Sequence, residues 1–187
     1  MGANTNIYFE QGGDSLKVYG SEVRRKLNSL TADGANFGGT GANAEAILGS
    51  GSFSIPSTVA AGDVVRFSAY VAIPTTVSTD TLRVRVRVGG VSGTAIFDST
   101  AVDVANNDLL HVVGEITFRT VGAAGTAVAV VGGYSTIAGT AGPIDTAATA
   151  VSSIDTTSAL TVVVTAVWST QNANVAKLTQ LNATVNS

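Results

Sequence analysis

The chain has 187 residues, no cysteine, one histidine and a formal net charge of −3, enough for one domain of ordinary size with a shorter appendage. The lack of cysteine excludes disulfides, and with one histidine it argues against a zinc site. The net negative charge produces no electrostatic potential that would attract nucleic acid. The apolar runs are too short to span a bilayer, and the N-terminus lacks the pattern of a signal peptide. We therefore expect a soluble protein, not exported by that route, that binds neither nucleic acid nor membrane.

Composition and periodicity indicate an all-β protein. Charged residues make up only 12% of the chain and hydrophobic residues 45%, with 21 glycines, a profile typical of pleated surfaces and turns rather than of helical bundles. Residues 82–88 read Leu-Arg-Val-Arg-Val-Arg-Val and are followed by Gly89 and Gly90. Strict alternation places one aliphatic face in a core and Arg83, Arg85 and Arg87 on a wet face. This segment predicts a half-buried strand that ends in a turn.

Strand patterns recur at regular spacing from Phe53 onward, with Gly, Asn and Asp between them. This spacing predicts an antiparallel double-sheet jelly-roll sandwich over residues 53–187. The predicted strands are residues 53–55, 64–73, 81–88, 94–98, 101–104, 109–120, 126–134, 147–155, 159–169 and 175–185. Trp168 lies inside an apolar strand pattern, so we expect it to pack in the core.

Residues 1–52 have a different composition and are predicted to form a short N-terminal arm before the sandwich. The arm contains an aromatic pair, Tyr8 and Phe9, and a basic run, Arg24, Arg25 and Lys26. Residues 21–30 fit either a helix that begins at a capping serine or an irregular extended segment. The basic run fits either an exposed arm or a segment that docks on an acidic protein surface.

The residues that enzymes need are sparse, so we predict no catalytic, cofactor or metal site. His111 could serve as a general base, but its strand pattern favours an imidazole that faces solvent or a backbone carbonyl. Asp103, Asn106, Asn107 and Asp108 offer side-chain oxygen atoms of the kind that bind calcium. Asn and Asp in such a loop more often hydrogen-bond to their own backbone and form turns. Glu10, Glu22 and Glu45 fall in the arm and Glu115 stands alone, so no carboxylate pair for glycoside hydrolysis is indicated.

The arginines at 83, 85 and 87 allow two interpretations. One is a solvated sheet face on which the side-chain stems cover apolar surface. The other is a subunit interface in which the guanidinium groups bind carboxylates of an adjacent copy, because arginine forms bidentate bonds with carboxylates. Both stay open from the sequence alone.

Residues 53–187 resemble the jelly-roll virion structural proteins of tailed bacteriophages, a group that includes capsid decoration (cement) proteins and tail-fibre heads. The resemblance rests on the order of the segments at residues 61–66, 81–90, 110–122, 155–169 and 175–181, and on the opening segment at residues 8–14. It implies a non-enzymatic homotrimer whose N-terminal part attaches to the virion. The short arm, without the heptad repeats of a fibre shaft, favours a decoration protein.

The expectation from this resemblance is a cement protein, made in the host cytoplasm, that binds the major capsid protein on the outer capsid surface and stabilises the head. Tyr8, Phe9, Arg24, Arg25 and Lys26 are the expected attachment residues. The alternative is a receptor-binding head of a tail fibre or head fibre that recognises a host-surface glycan. Exposed aromatic residues on loops would favour this alternative, but aromatic residues make up only 6% of the chain.

Overall fold

Twelve strands and no helix form in the part of the chain that the computed structural model describes, residues 24–38, 44–77, 79–137, 140–170 and 172–186. The strands are Arg24–Ser29 (β1), Phe37–Gly38 (β2), Ala46–Ile55 (β3), Val64–Thr75 (β4), Thr81–Val88 (β5), Thr94–Asp98 (β6), Val102–Asp103 (β7), Asp108–Thr120 (β8), Gly125–Ile137 (β9), Thr140–Ile154 (β10), Leu160–Trp168 (β11) and Val175–Asn186 (β12). No helix in these residues is long and apolar enough to cross a membrane.

The alternation in β5 behaves as the sequence predicts. Leu82, Val84 and Val86 have no exposed surface, while the arginines between them lie on the outer face. The same inward and outward alternation holds along β4 and β8. Two antiparallel sheets therefore face each other across one aliphatic core, because each sheet buries one face and leaves the other in water. The prediction of an all-β jelly-roll sandwich is confirmed.

The two sheets differ in width. The large sheet has seven strands in the order β1-β12-β4-β8-β9-β10, with β2 paired to the end of β12. The small sheet has five strands in the order β3-β11-β5-β6, with β7 paired to β5. Four antiparallel pairs are nested along the chain: β1 with β12, β3 with β11, β4 with β8, and β5 with β6. This nesting is the winding of a jelly roll, to which β9 and β10 add an extension of the large sheet.

The nesting changes the interpretation of the predicted arm. The expected boundary between residues 52 and 53 falls inside β3, and β1 pairs with the last strand, Arg24 opposite Asn186. Residues 24–29 and 46–52 are therefore part of the sandwich rather than of a separate arm. Of the two interpretations of residues 21–30, the extended one is right for Arg24–Ser29, with a register shift between Lys26 and Asn28. Residues 1–23 lie outside the described part.

Large side chains fill the core where glycine leaves room for them. Trp168 is buried, as predicted, and its indole N–H donates to the carbonyl oxygen of Phe37 at 3.4 Å. Phe67 lies opposite Gly114 in the β4–β8 ladder, and a Cβ atom at Gly114 would come within 2.8 Å of its ring. That glycine therefore makes the space that the Phe67 ring occupies, because well-packed interiors hold few voids.

The nested pairing predicts different outcomes for two truncations. Removal of residues 1–23 leaves the twelve strands of the described residues in place, so a cooperative thermal transition and the β-type circular dichroism signal should persist. Removal of residues 1–52 deletes β1, β2 and most of β3, which uncovers β12 and β11 and opens the core. We expect that chain to lack a cooperative transition. Retention of the full transition after removal of residues 1–52 would contradict the topology.

Candidate functional site

The outer face of the small sheet carries a connected group of five charged side chains and one threonine, defined here as the arginine network: Glu45, Arg83, Arg85, Arg87, Asp98 and Thr165. The three arginines alternate along β5, Asp98 ends β6, and Thr165 lies opposite Arg85 on β11. Glu45 immediately precedes β3. The network therefore crosses the sheet from β3 to β6, and side chains from four segments meet on one surface.

Glu45 is the most heavily bonded member of the arginine network. It accepts hydrogen bonds from Arg85 Nη1 at 2.5 Å, from Arg87 Nε at 2.6 Å and from Thr165 Oγ1 at 2.5 Å. A further bond comes from Arg87 Nη2 at 3.0 Å. The hydrogen bond from Arg87 lowers the pKa of Glu45 from 4.5 to about 2, against the opposing effect of burial. Glu45 is therefore ionised throughout the physiological range.

Asp98 binds the other end of the arginine network. Arg83 donates to both of its carboxylate oxygens, at 2.5 and 2.6 Å, and Arg85 Nε donates at 2.9 Å. Burial raises the pKa of Asp98, but the bonds from Arg83 and Arg85 outweigh it, so the pKa lies below its ordinary value. Arg85 bridges the two carboxylates and is the most buried arginine of the three, with 14% of its side chain exposed against 41% for Arg83.

The predicted subunit interface thus finds carboxylate partners within its own chain. The expectation that Arg83, Arg85 and Arg87 need the carboxylates of an adjacent copy came from the clustering of positive charge on one strand. Asp98 reaches them through the β5–β6 hairpin, and Glu45 reaches them across β11. Three guanidinium groups face two carboxylates, so the network keeps one positive charge in excess. A role in subunit contact stays a prediction, and Arg83 is the most accessible of the three arginines.

The basic run of the predicted attachment site lies elsewhere. Arg24, Arg25 and Lys26 are on β1, the edge strand of the large sheet, with Arg24 and Lys26 exposed. Tyr8 and Phe9 lie outside the described residues. The structure does not bring the basic run together with the arginine network, because the two occupy different sheets. Capsid attachment through the basic run is untested by this geometry.

His111 faces outward from β8 in the middle of the large sheet. Its ring stacks on Tyr70, with ring centroids 4.1 Å apart and planes 7° apart, and its Nε2 lies 3.0 Å from Ser68 Oγ. Burial lowers the pKa of His111, which favours the neutral ring at neutral pH. The half-buried ring therefore faces outward, as one interpretation of the sequence had it, and its neighbours are a hydroxyl and a phenol ring. Ser68 and His111 lie within continuous β-ladders, whose paired backbone N–H groups are not available to form an oxyanion hole.

The acidic loop before β8 makes turns, which is one of the two interpretations from the sequence. Asp108 Oδ2 accepts from the backbone N–H of Ala105 at 2.7 Å, and Asn106 Oδ1 accepts from the backbone N–H of Thr76 at 2.7 Å. Asn107 has a φ of 70°, a conformation that asparagine tolerates better than most residues. Within the described residues, no group of three or more His, Cys, Asp and Glu side chains is arranged to hold a metal ion.

Comparisons with known proteins give only distant structural likeness. No protein-family model matches the chain, and no curated protein matches it. Among solved structures, the chain is similar to infectious bursal disease virus strain Gt, with a TM-score of 0.33 and 13% identity over 97% of this chain and 38% of the other. Strain Gx gives a TM-score of 0.29 and 13% identity over 97% of this chain and 37% of the other. The chain thus spans less than two fifths of the length of either viral chain.

Loss of the Glu45 carboxylate should destabilise the fold at neutral pH. We expect Glu45→Gln to lower the free energy of unfolding by about 2–3 kcal/mol, because the bonds to Arg85 and Arg87 lose their charge. The folded pKa lies below the unfolded one, so this stabilisation is present above pH 4.5 and fades as the pH falls towards 2. Urea unfolding across that range should show the two proteins converging in acid. A constant difference would contradict the assignment.

Loss of the Arg85 side chain should lower the free energy of unfolding more than loss of the Arg83 side chain. Arg85→Met removes the bridge between Glu45 and Asp98, and we expect a loss of about 1–3 kcal/mol in unfolding free energy. Arg83→Met removes a more exposed side chain and should cost less than about 1 kcal/mol. Urea unfolding of both variants, with methionine keeping the aliphatic stem in each, makes the comparison. Equal losses would show that the contact of Arg85 with Glu45 adds nothing.

Proposed function

We propose that the chain is a non-enzymatic structural protein of a tailed-phage virion, and that it binds the outer capsid surface as a decoration protein. The observation that carries the proposal is the nested pairing of β1 with β12, β3 with β11, β4 with β8 and β5 with β6. This winding agrees with the jelly roll expected from the resemblance of residues 53–187 to phage structural proteins. Folds host many functions, so the proposal also needs the surface chemistry.

The surface chemistry supports a binding role more than a catalytic one. The charged groups of the arginine network are bonded to one another. The low pKa of Glu45 keeps it ionised near neutral pH, whereas a general acid or base needs a pKa close to the working pH. The Ser68–His111 contact lies in an open face of a regular sheet. These groups stabilise a surface and orient side chains on it, which fits a protein whose work is done by contact.

The proposed attachment site is the edge of the large sheet at β1. Arg24 and Lys26 are exposed on this edge strand, and Arg25 is half-buried between them. An edge strand with several cations resists pairing with a further strand and attracts an acidic surface. A carboxylate-rich surface of the major capsid protein is the partner that this chemistry fits. Because β1 is hydrogen-bonded to β12, a partner bound at this edge would be joined directly to the large sheet.

Copy number tests the proposal against the receptor-binding alternative. A decoration protein should be present in hundreds of copies in virions from the strain that encodes this chain, and a receptor-binding head in only a few. Quantitative mass spectrometry of purified particles, relative to the major capsid protein, gives the ratio. A ratio near the capsid copy number supports decoration, a few copies per particle supports the receptor-binding head, and absence from particles overturns both.

Charge reversal tests the attachment edge. Combined replacement of Arg24, Arg25 and Lys26 by glutamate should abolish binding of the purified chain to particles that lack it, because the edge would then repel an acidic surface. Arg119→Glu is the control, since Arg119 is exposed at the end of β8 and away from the β1 edge. Occupancy is measured by co-sedimentation. Full occupancy by the triple variant would move the attachment surface elsewhere.

A glycan-binding head remains the second candidate because of one side chain. Tyr134 on β9 is 53% exposed and is the only aromatic residue among the strongly exposed large hydrophobic residues of the described part. An exposed ring can stack on the apolar face of a sugar. Loss of particle adsorption to host cells in a Tyr134→Ala variant, with particle occupancy unchanged, would favour this role over decoration.

A further inference from the structure

A groove of about 460 Å³ crosses the outer face of the large sheet from β1 to β9. It is called here the cross-strand groove and is defined by Arg24 on β1, Thr184 on β12, Arg66 on β4, Val113 on β8 and Val130 on β9. Neighbouring strands lie about 4.8 Å apart, so four steps from β1 to β9 span about 19 Å. The groove is therefore long enough to contact a partner at two separate points.

The two ends of the cross-strand groove differ in chemistry. At the β1 end, Arg24 is exposed, and Lys26 is the next exposed cation along the strand. At the β9 end, Val113 is 41% exposed and Val130 59%. Gly132 lies opposite Val113 and two residues from Val130 on the same face, so no side chain fills the space beside the two valines. The groove thus offers positive charge at one end and an apolar hollow at the other.

Positive charge is in excess along the cross-strand groove. Among the described residues that line it, two arginines face one carboxylate, that of Glu115. Arg66 Nε donates to Glu115 Oε1 at 2.7 Å, and Arg66 has a further interaction, so its guanidinium is already engaged. Arg24 is therefore the cation that an incoming carboxylate meets. Although the chain as a whole carries −3, an acidic partner finds a potential of the opposite sign here.

The dimensions of the cross-strand groove favour an extended occupant over a helical one. Its lining side chains on β4, β8 and β9 come from two adjacent rows, one through Ser68 and Gly132 and one through Arg66 and Val130. Adjacent rows on one face of a sheet lie about 7 Å apart, whereas a helix with its side chains is about 10–12 Å across. An extended chain rises about 3.3 Å per residue, so about six residues cover the length of the groove.

We propose that the cross-strand groove binds an extended segment of a partner protein, with a carboxylate near one end of the segment and an apolar side chain about five residues away. The carboxylate binds Arg24, and the apolar side chain packs over Gly132 beside Val113 and Val130. The inference rests on the proposed function, under which the partner is the major capsid protein. It extends the attachment surface from the β1 edge onto the face of the sheet. The charge fixes the direction of the segment, and apolar burial adds affinity.

Short peptides test this recognition on the full chain. The probe is a dye-labelled, end-capped octapeptide of alternating glycine and threonine, with leucine at its second position and aspartate at its seventh. Fluorescence anisotropy should show that it binds about fivefold more tightly than the same peptide with asparagine in place of aspartate. It should also bind about fivefold more tightly than the same peptide with alanine in place of leucine.

Variants at each end of the groove assign the two contacts. Arg24→Gln should reduce the preference for aspartate over asparagine to less than about twofold and leave the preference for leucine unchanged. Val130→Glu should weaken binding of the probe about tenfold, with an unchanged circular dichroism spectrum. Arg119→Gln and Val121→Glu are the matched controls, because both residues are exposed and lie outside the groove, and their affinities should equal that of the wild type.

Three outcomes would overturn the proposal: no binding of the probe at hundreds of micromolar, equal binding of the aspartate and asparagine peptides, or an unchanged affinity of Val130→Glu. Particle occupancy separates the groove from decoration. Val130→Glu should lower occupancy on particles that lack the chain. Full occupancy, with loss of binding by the triple variant of residues 24–26, would confine attachment to the β1 edge and overturn the groove contact while decoration stands. Absence of the chain from virions would overturn the capsid protein as partner, and the peptide measurements would still decide whether the groove binds such a segment.

Discussion

The structure depends on the pairing of β12 with β1 and β4, two strands from the first half of the chain. β12 lies between β1 and β4, and its register sets Asn186 opposite Arg24 on one side and opposite Val64 on the other. Every other pair of the jelly roll is nested inside this one. Closing such long loops costs chain entropy before any contact compensates for it, so the aliphatic core must form together with the outer pair. Stability is therefore shared across the whole sandwich, and removal of an outer strand affects the inner ones.

How much of this fold the sequence predicts depends on whether a signal is local. β5 and β6 occur at the predicted residues because alternation and the following turn are encoded within a few positions. β1 was left open between helix and extended chain because its residues are polar and basic, and it becomes a strand only by pairing with β12, more than 150 residues away. The boundary predicted at residue 52 falls inside β3 for the same reason, since Gly49 and Gly51 interrupt the strand pattern in the sequence and pairing with β11 stabilises the strand.

The arginine network was likewise predictable from the sequence only where its signal is local. The three arginines of β5 were visible in the sequence, as was the fact that they share a face. Asp98 could also have been found, because a hairpin from β5 to β6 brings residues of one face together. Glu45 carries no local signal: it is 40 residues from Arg85 and approaches across β11, which follows both in the chain. Sequence reasoning therefore found the cations and left open whether they are solvated or bind anions of another copy, whereas the fold supplies anions from the same copy.

The two outer faces of the sandwich consequently have different capacities for binding. On the small sheet, Arg85 and Arg87 are largely covered and already bonded to Glu45, so a partner that displaced these bonds would have to replace several charged hydrogen bonds at once. Only Arg83, with 41% of its side chain exposed, offers a guanidinium at the margin. On the large sheet, Val130 and Tyr134 are uncovered, and the Arg66–Glu115 pair beside Val130 is itself exposed, with 40% and 52% of the two side chains accessible. A contact of moderate area gains more on the large sheet, because burial of apolar groups there is favourable and the exposed Arg66–Glu115 pair contributes less than the largely covered bonds of Arg85 and Arg87. The arginines of β5 are thus best suited to holding their own sheet together, because their guanidinium groups are already bonded to carboxylates of the same chain.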